Sequence, residues 1–247
     1  MSHEAGLVSM METFKITYEF VFPDARSRQF LLELDSKTLA LTPIHSEIRE
    51  SKWSRLENCQ CTVCPLKTEN VPRCPVAANM FGLSEHFKNE ASTTKVTVHV
   101  HTENRTYSKT ASVQEGLFSI FGVIMSTSGC PILNFLKPMA RFHLPFATHE
   151  ETIVRSISFH LLRQYFLSKK GLTPDLDLKH LNEQYSSVQR VNEGLLARIR
   201  SIIEKGDAES NAVVILDAFA QLLSMEIGSG LAGLEYLFAD SQNQNTP

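Results

Sequence analysis

Four of the chain's five cysteines, Cys59, Cys61, Cys64 and Cys74, fall within one short stretch, and the fifth, Cys130, stands far downstream in Ser128-Gly-Cys-Pro131. Cys64, Cys74 and Cys130 are each followed directly by proline. Thiols this dense, odd in number and without the look of a disulfide framework, are the usual mark of a metal centre or of reactive thiols. Cys61-Thr-Val-Cys64 has the CxxC spacing that lets two thiolates grip one ion or cluster. A tetrahedral site needs two more ligands. Cys74 and Cys130 fill that role in this reading, with Cys59 as the spare. Pro75 and Pro131 precede stretches read as helical, 76–88 and 132–139. Proline suits the first helical position, so both cysteines are expected as helix N-caps. Free N–H groups and the positive dipole end there should lower a thiol's pKa.

The choice of metal follows from the residue after the second cysteine. Many zinc knuckles place glycine there because the turn needs positive φ, which Pro65 cannot adopt. Cysteine followed by proline is seen instead at the last ligand of ferredoxin-type clusters. The expected function is therefore a cysteine-ligated metal-binding protein with a structural or redox-sensing role. An iron–sulfur cluster is favoured and Zn2+ is the alternative. Metal-free redox thiols, a haem-responsive Cys-Pro site and plain buried cysteines stay open.

A second group of residues lies just beyond Cys130. Pro138-Met-Ala-Arg141-Phe-His143-Leu-Pro145 is followed by His149, Glu150 and Glu151. Arg141 and His143 near a metal could bind an anion or substrate and do acid–base work, which defines the alternative reading, an enzyme beside the centre. The plainer account has Glu151 completing a helix cap, Glu150 favouring the dipole and Arg141 pairing with a carboxylate. His99 and His101 share one strand face and are read as solvated, since no third ligand is indicated. The chain has no glycine-rich phosphate loop, no Gly-x-Ser-x-Gly elbow and no HExxH helix, which lowers the case for a hydrolase. Whether it is an enzyme stays open.

The elements that must hold these residues are α+β: a small antiparallel sheet of two hairpins with a cysteine-rich insertion, then a helical bundle. Phe14, Ile16, Tyr18 and Phe20 alternate with polar residues, and Phe30, Leu32 and Leu34 resume the alternation after the turn at Pro23-Asp24-Ala25-Arg26. Val96, Val98 and Val100 begin a second hairpin that turns at Glu103-Asn104. The β part is assigned to 1–112, with the insertion at about 43–90 crossing one end of the sheet.

From 113 to 240 the pattern is helical. Val113 to Met125 is apolar nearly all round and reads as a central buried helix. Thr148 and Glu151 form a capping box for a helix whose stripe is Ile153, Val154, Ile157, Leu161 and Tyr165. A long helix follows from Leu178 to Ile202 at three-four spacing, with Asn192 in the one polar slot, read as a solvent-touching edge in preference to a residue that fixes register. Ala212 to Met225 supplies another helix, broken by Gly228 and Gly230 before a short last one ending near Phe238. Residues 241–247 read as a frayed tail.

Composition narrows the partners. A net charge of -3 over 247 residues argues against a phosphate-driven nucleic-acid binder. No signal peptide and no membrane span are visible, so a cytoplasmic protein without a membrane partner is expected. A protein partner or homo-oligomer would form through the helical part. The string Cys61-x-x-Cys64-Pro-Leu, Cys74-Pro-Val-Ala, Ser128-Gly-Cys130-Pro and Arg141-Phe-His143-Leu-Pro-Phe-Ala resembles an uncharacterised family of bacterial proteins of about this length. That resemblance covers most of the chain and implies a bacterial cytoplasmic setting. It fits Cys61, Cys64, Cys74 and Cys130 as the working set. It transfers no catalytic role.

Overall fold

The computed structural model describes residues 13–43, 52–201 and 206–239. The N-terminal stretch from Met1 to Met11 and the tail 241–247 lie outside the described residues. Four strands, β1 (Thr13–Val21), β2 (Ser27–Asp35), β3 (Lys95–Thr102) and β4 (Thr106–Ser112), form one antiparallel sheet in the order β2-β1-β3-β4. Tyr18 stands opposite Phe30 in β2 and Val100 in β3, so the alternating apolar residues of three strands share one face. That face is buried, with Ile16, Tyr18, Phe20, Leu32, Leu34, Val98 and Val100 all fully inside. On the other face the rings of His99 and His101 stack at 6.1 Å, and His101 Nδ1 meets the Thr106 hydroxyl at 3.1 Å. The class is α+β.

Among the described residues, six α-helices accompany the sheet: α1 (Pro75–Phe87), α2 (Val113–Thr127), α3 (Lys137–Arg141), α4 (His149–Lys169), α5 (Lys179–Arg200) and α6 (Ala208–Gly228). The apolar α2 crosses the buried sheet face, started by Ser112, whose N–H and hydroxyl both donate to the Glu115 carboxylate at 2.8 Å. Its Gly116 permits close approach, because a Cβ there would lie 2.4 Å from the Phe20 ring. One continuous core joins the sheet to α1, α2, α5 and α6. Among the described residues only α6 is long and apolar enough by composition to cross a membrane. Its Ala212, Val213, Ala220 and Leu223 are buried in that core.

Three expectations change. The helix expected over 132–139 is a turn, then a 3-10 segment at Asn134–Leu136, then the short α3. Ser128-Gly129 explains this, since Gly129 sits at φ +86 and redirects the chain before Pro131. Asn192 is not an edge residue: it is 0% exposed. The α4 stripe holds only in part. The helix buries Ile153, Ser156, Ile157, His160 and Gln164, while Leu161 and Tyr165 face outward. Three polar side chains on the inner side find partners there: Ser156 bonds Tyr185, Gln164 accepts from the Asp175 N–H, and His160 meets the Asp175 carbonyl.

Candidate functional site

The cysteine segment is clamped onto α5. Trp53 Nε1 donates to the Arg198 carbonyl at 3.0 Å, and the buried Arg198 guanidinium returns hydrogen bonds to the carbonyls of Trp53 and Arg55. Cys74 N–H donates to the Ser54 carbonyl, placing Cys74 at the N-cap of α1 with Pro75 at the first helical position. Gly194 in α5 lets the segment come close, because a Cβ there would lie 2.7 Å from Cys61 Sγ. Cys61, Cys64, Cys74 and Cys130 thereby line one small cavity of about 30 Å3 with Leu195 and Arg198. Cys59 is not in its lining. It sits at φ 51 with its thiol 3.7 Å from Asn58 Oδ1.

The expected metal-binding function is corrected here. Among the described residues, no group of three or more His, Cys, Asp or Glu side chains could hold a metal ion. The shared cavity has room for about a water or two. Cys61 is held as a protonated thiol. Cys61 Sγ donates to the Val191 carbonyl at 3.8 Å, as a protonated thiol does. Burial, reinforced by neighbouring Cys74, Cys130 and Cys64, pushes its pKa up to about 12, against the partial pull of Arg198. Burial also raises Cys130, although N–H groups of Leu133 and Ile132 face its sulfur. Cys130 caps no helix, since Leu133 is the N-cap of the 3-10 segment that follows. At Cys61 and Cys130 desolvation therefore favours the neutral thiol over the expected thiolate.

A larger cavity, about 140 Å3, lies on the other side of α5. Its walls are mostly apolar: Val123 from α2, Leu133, Val188 from α5, and Leu223 from α6. Polar groups enter from several sides. Asn192 of α5 donates its Nδ2 weakly to Asp217 at 3.4 Å, and its fully buried Oδ1 has no hydrogen-bond partner among the described residues. Arg155 of α4 reaches the cavity while its Nη2 donates to the carbonyls of Met139 and Phe142, at 3.1 and 2.6 Å. Tyr185 adds a buried hydroxyl 2.8 Å from Ser156, with its pKa pushed up to about 12 by burial.

His143 lines this cavity, in the loop after α3, and its Nε2 hydrogen-bonds the Tyr18 hydroxyl, which in turn lies 2.9 Å from Ser119 Oγ. Burial, with the Arg155 charge nearby, drives its pKa down to about 3, so the imidazole is neutral. Burial holds Tyr18 well above the usual phenol range. The consistent assignment has Tyr18 donating to the ring nitrogen. Because the unfolded pKa is near 6.5, His143 favours folding fully above that value, and the benefit is lost as pH falls from 6.5 towards 3. The expected slope is at most about 1.4 kcal/mol per pH unit. Urea titrations of the natural protein and His143→Gln across that window check it. Parallel pH profiles would show that His143 is not the group responsible.

The structure separates Arg141 from His143. The exposed Arg141 guanidinium lies 4.5 Å from the centre of the Phe14 ring and is not among the residues that wall the larger cavity, which His143 lines. Neither residue lines the cysteine cavity. Tyr18, Arg155, Tyr185 and Asn192 were missed as site residues, because in sequence each fills an ordinary slot of a strand or helix pattern. The only available signal was Asn192, the polar interruption of an otherwise apolar stripe.

Fold and cavity together define an α+β protein with a mostly apolar pocket among its helices. Over residues 16–239 the chain matches the family model described as a domain of unknown function (DUF6901), and it belongs to that family. No curated protein and no solved structure matches it.

Proposed function

We propose that the chain binds a small, mostly apolar molecule of single-ring size, bearing a hydrogen-bond donor, in the cavity between α2, α5 and α6. The observation that carries this reading is the Asn192 carboxamide oxygen, which is fully buried at the wall and has no partner among the described residues. Leaving such an acceptor unmet costs about 1–3 kcal/mol, and a ligand O–H or N–H would recover it. Volume sets the ligand's size: an engineered apolar cavity of about 150 Å3 takes up benzene, and this one is about 140 Å3. The polar oxygen shifts preference from a bare ring to a phenol-like one. Mostly apolar walls with a few convergent polar groups are the common form of small-molecule sites.

Thermal unfolding with p-cresol and with toluene tests the reading. The natural protein should gain melting temperature with p-cresol and bind it about tenfold more tightly than toluene. Asn192→Leu conserves the apolar repeat of α5, so it should fold and lose that preference. No shift with either compound, or an unchanged preference in the variant, would overturn the proposal.

A further inference from the structure

We propose that the outer face of the C-terminal half of α4 docks on an anionic membrane surface. The inner face of α4 is buried through His160 and Gln164, yet its opposite face is also apolar. Leu162 is 51% exposed, Tyr165 54% and Phe166 57%, with Leu161 beside them and Leu172 at 55% just past the helix end. The N-terminal half of α4 is covered on that side: Arg155 holds the carbonyls of Met139 and Phe142, and Phe142 stacks on Phe159 at 5.7 Å. Beyond Phe159 the apolar face is exposed among the described residues. Contiguous exposed patches of this kind mark interaction surfaces.

Charge decides the occupant. From Thr152 to Pro174 the chain carries Arg155, Arg163, Lys169 and Lys170 and no acidic residue, although the whole protein has a net charge of -3. Lys169 Nζ lies 5.3 Å from the Tyr165 ring centre, so a cation stands within the apolar face itself. The nearest carboxylate along the chain, Asp175, is already committed to the N–H groups of Lys179 and His180. A second copy on this face would bring the like charges of Lys169 and Lys170 together. An anionic headgroup layer answers both features: acyl chains take Leu162 and Phe166, and headgroups take Lys169 and Lys170. This sets aside the expectation of no membrane partner.

Co-sedimentation of the full chain with vesicles tests it. Phosphatidylcholine vesicles containing phosphatidylglycerol should carry the protein down, and pure phosphatidylcholine should not. Phe166→Glu, at an exposed position that folding does not need, should abolish binding while circular dichroism stays unchanged. Lys169→Glu with Lys170→Glu should weaken it at least about tenfold. Sedimentation equal with both lipids, or unaffected by these variants, would overturn the proposal. So would a dimer in lipid-free solution that Phe166→Glu dissociates, since the face would then belong to a second copy.

Discussion

Cys61 is expected to react with iodoacetamide at pH 8 about thirtyfold more slowly in the folded protein than in the chain unfolded in urea. The thiolate is the nucleophile, and burial beside three other thiols raises the pKa of Cys61 from 9.0 to about 12. Three units lower the thiolate fraction about a thousandfold. The more basic thiolate is intrinsically more reactive, and that recovers about half of the loss on a logarithmic scale. Gly194 and the Arg198 clamp hold the sulfur against α5, so restricted access works in the same direction. Mass spectrometry of timed alkylation reads each cysteine separately. Cys59, outside the cavity, should label faster than Cys61 in the same sample. A folded-state rate for Cys61 equal to or above the unfolded rate would mean a thiolate, and the account of Cys61 as a desolvated neutral thiol would fail.

The contrast between thiolate expected and thiol found shows where sequence reading stops. Hairpins were legible because period-two alternation at Ile16, Tyr18 and Phe20 has one physical cause, a sheet with one buried face. The α4 start was legible for the same reason: Thr148 and Glu151 exchange hydrogen bonds within four residues. Both are local. The state of a thiol is set by what surrounds it from elsewhere in the chain, and Val191, Gly194 and Arg198 lie more than a hundred residues from Cys61. Spacing such as CxxC and Cys-Pro carries no information on that desolvation. Asn192 marks the same boundary. Its slot in the α5 repeat was visible, but only the packing of α2 and α6 shows that the slot is dry and opens on a cavity. The outer face of α4 misled in the opposite sense, because an apolar stripe signals burial against something and leaves open whether that partner is the chain's own core.

The last expected result concerns Glu209, near the start of α6, a residue 1% exposed whose carboxyl oxygens have no hydrogen-bond partner among the described residues. Burial raises its pKa from 4.5 to about 7, and the charges of Glu85 and Asp207 add to the rise. Asp207 gives no relief, since its carboxylate is occupied by the N–H and hydroxyl of Ser92 and by Asn211. Below pH 4.5 the carboxyl is neutral in both states and costs nothing through charge. As pH rises from 4.5 through 7 the unfolded chain ionises first, so stability falls, and above 7 the loss levels off. The difference of about 2.5 pKa units corresponds to about 3 kcal/mol. Glu209→Gln keeps the shape of the neutral carboxyl and cannot ionise. It should therefore match the natural protein at pH 4.5 and exceed it by up to about 3 kcal/mol at pH 8. His143 slopes the opposite way below pH 6.5, so neither protein's profile alone isolates Glu209. The difference between the two, from urea denaturation at each pH, cancels His143 because both chains carry it. A stability difference that stays the same from pH 4.5 to pH 8 would show that folding does not raise the Glu209 pKa, and the account of a buried, uncompensated carboxyl would fail.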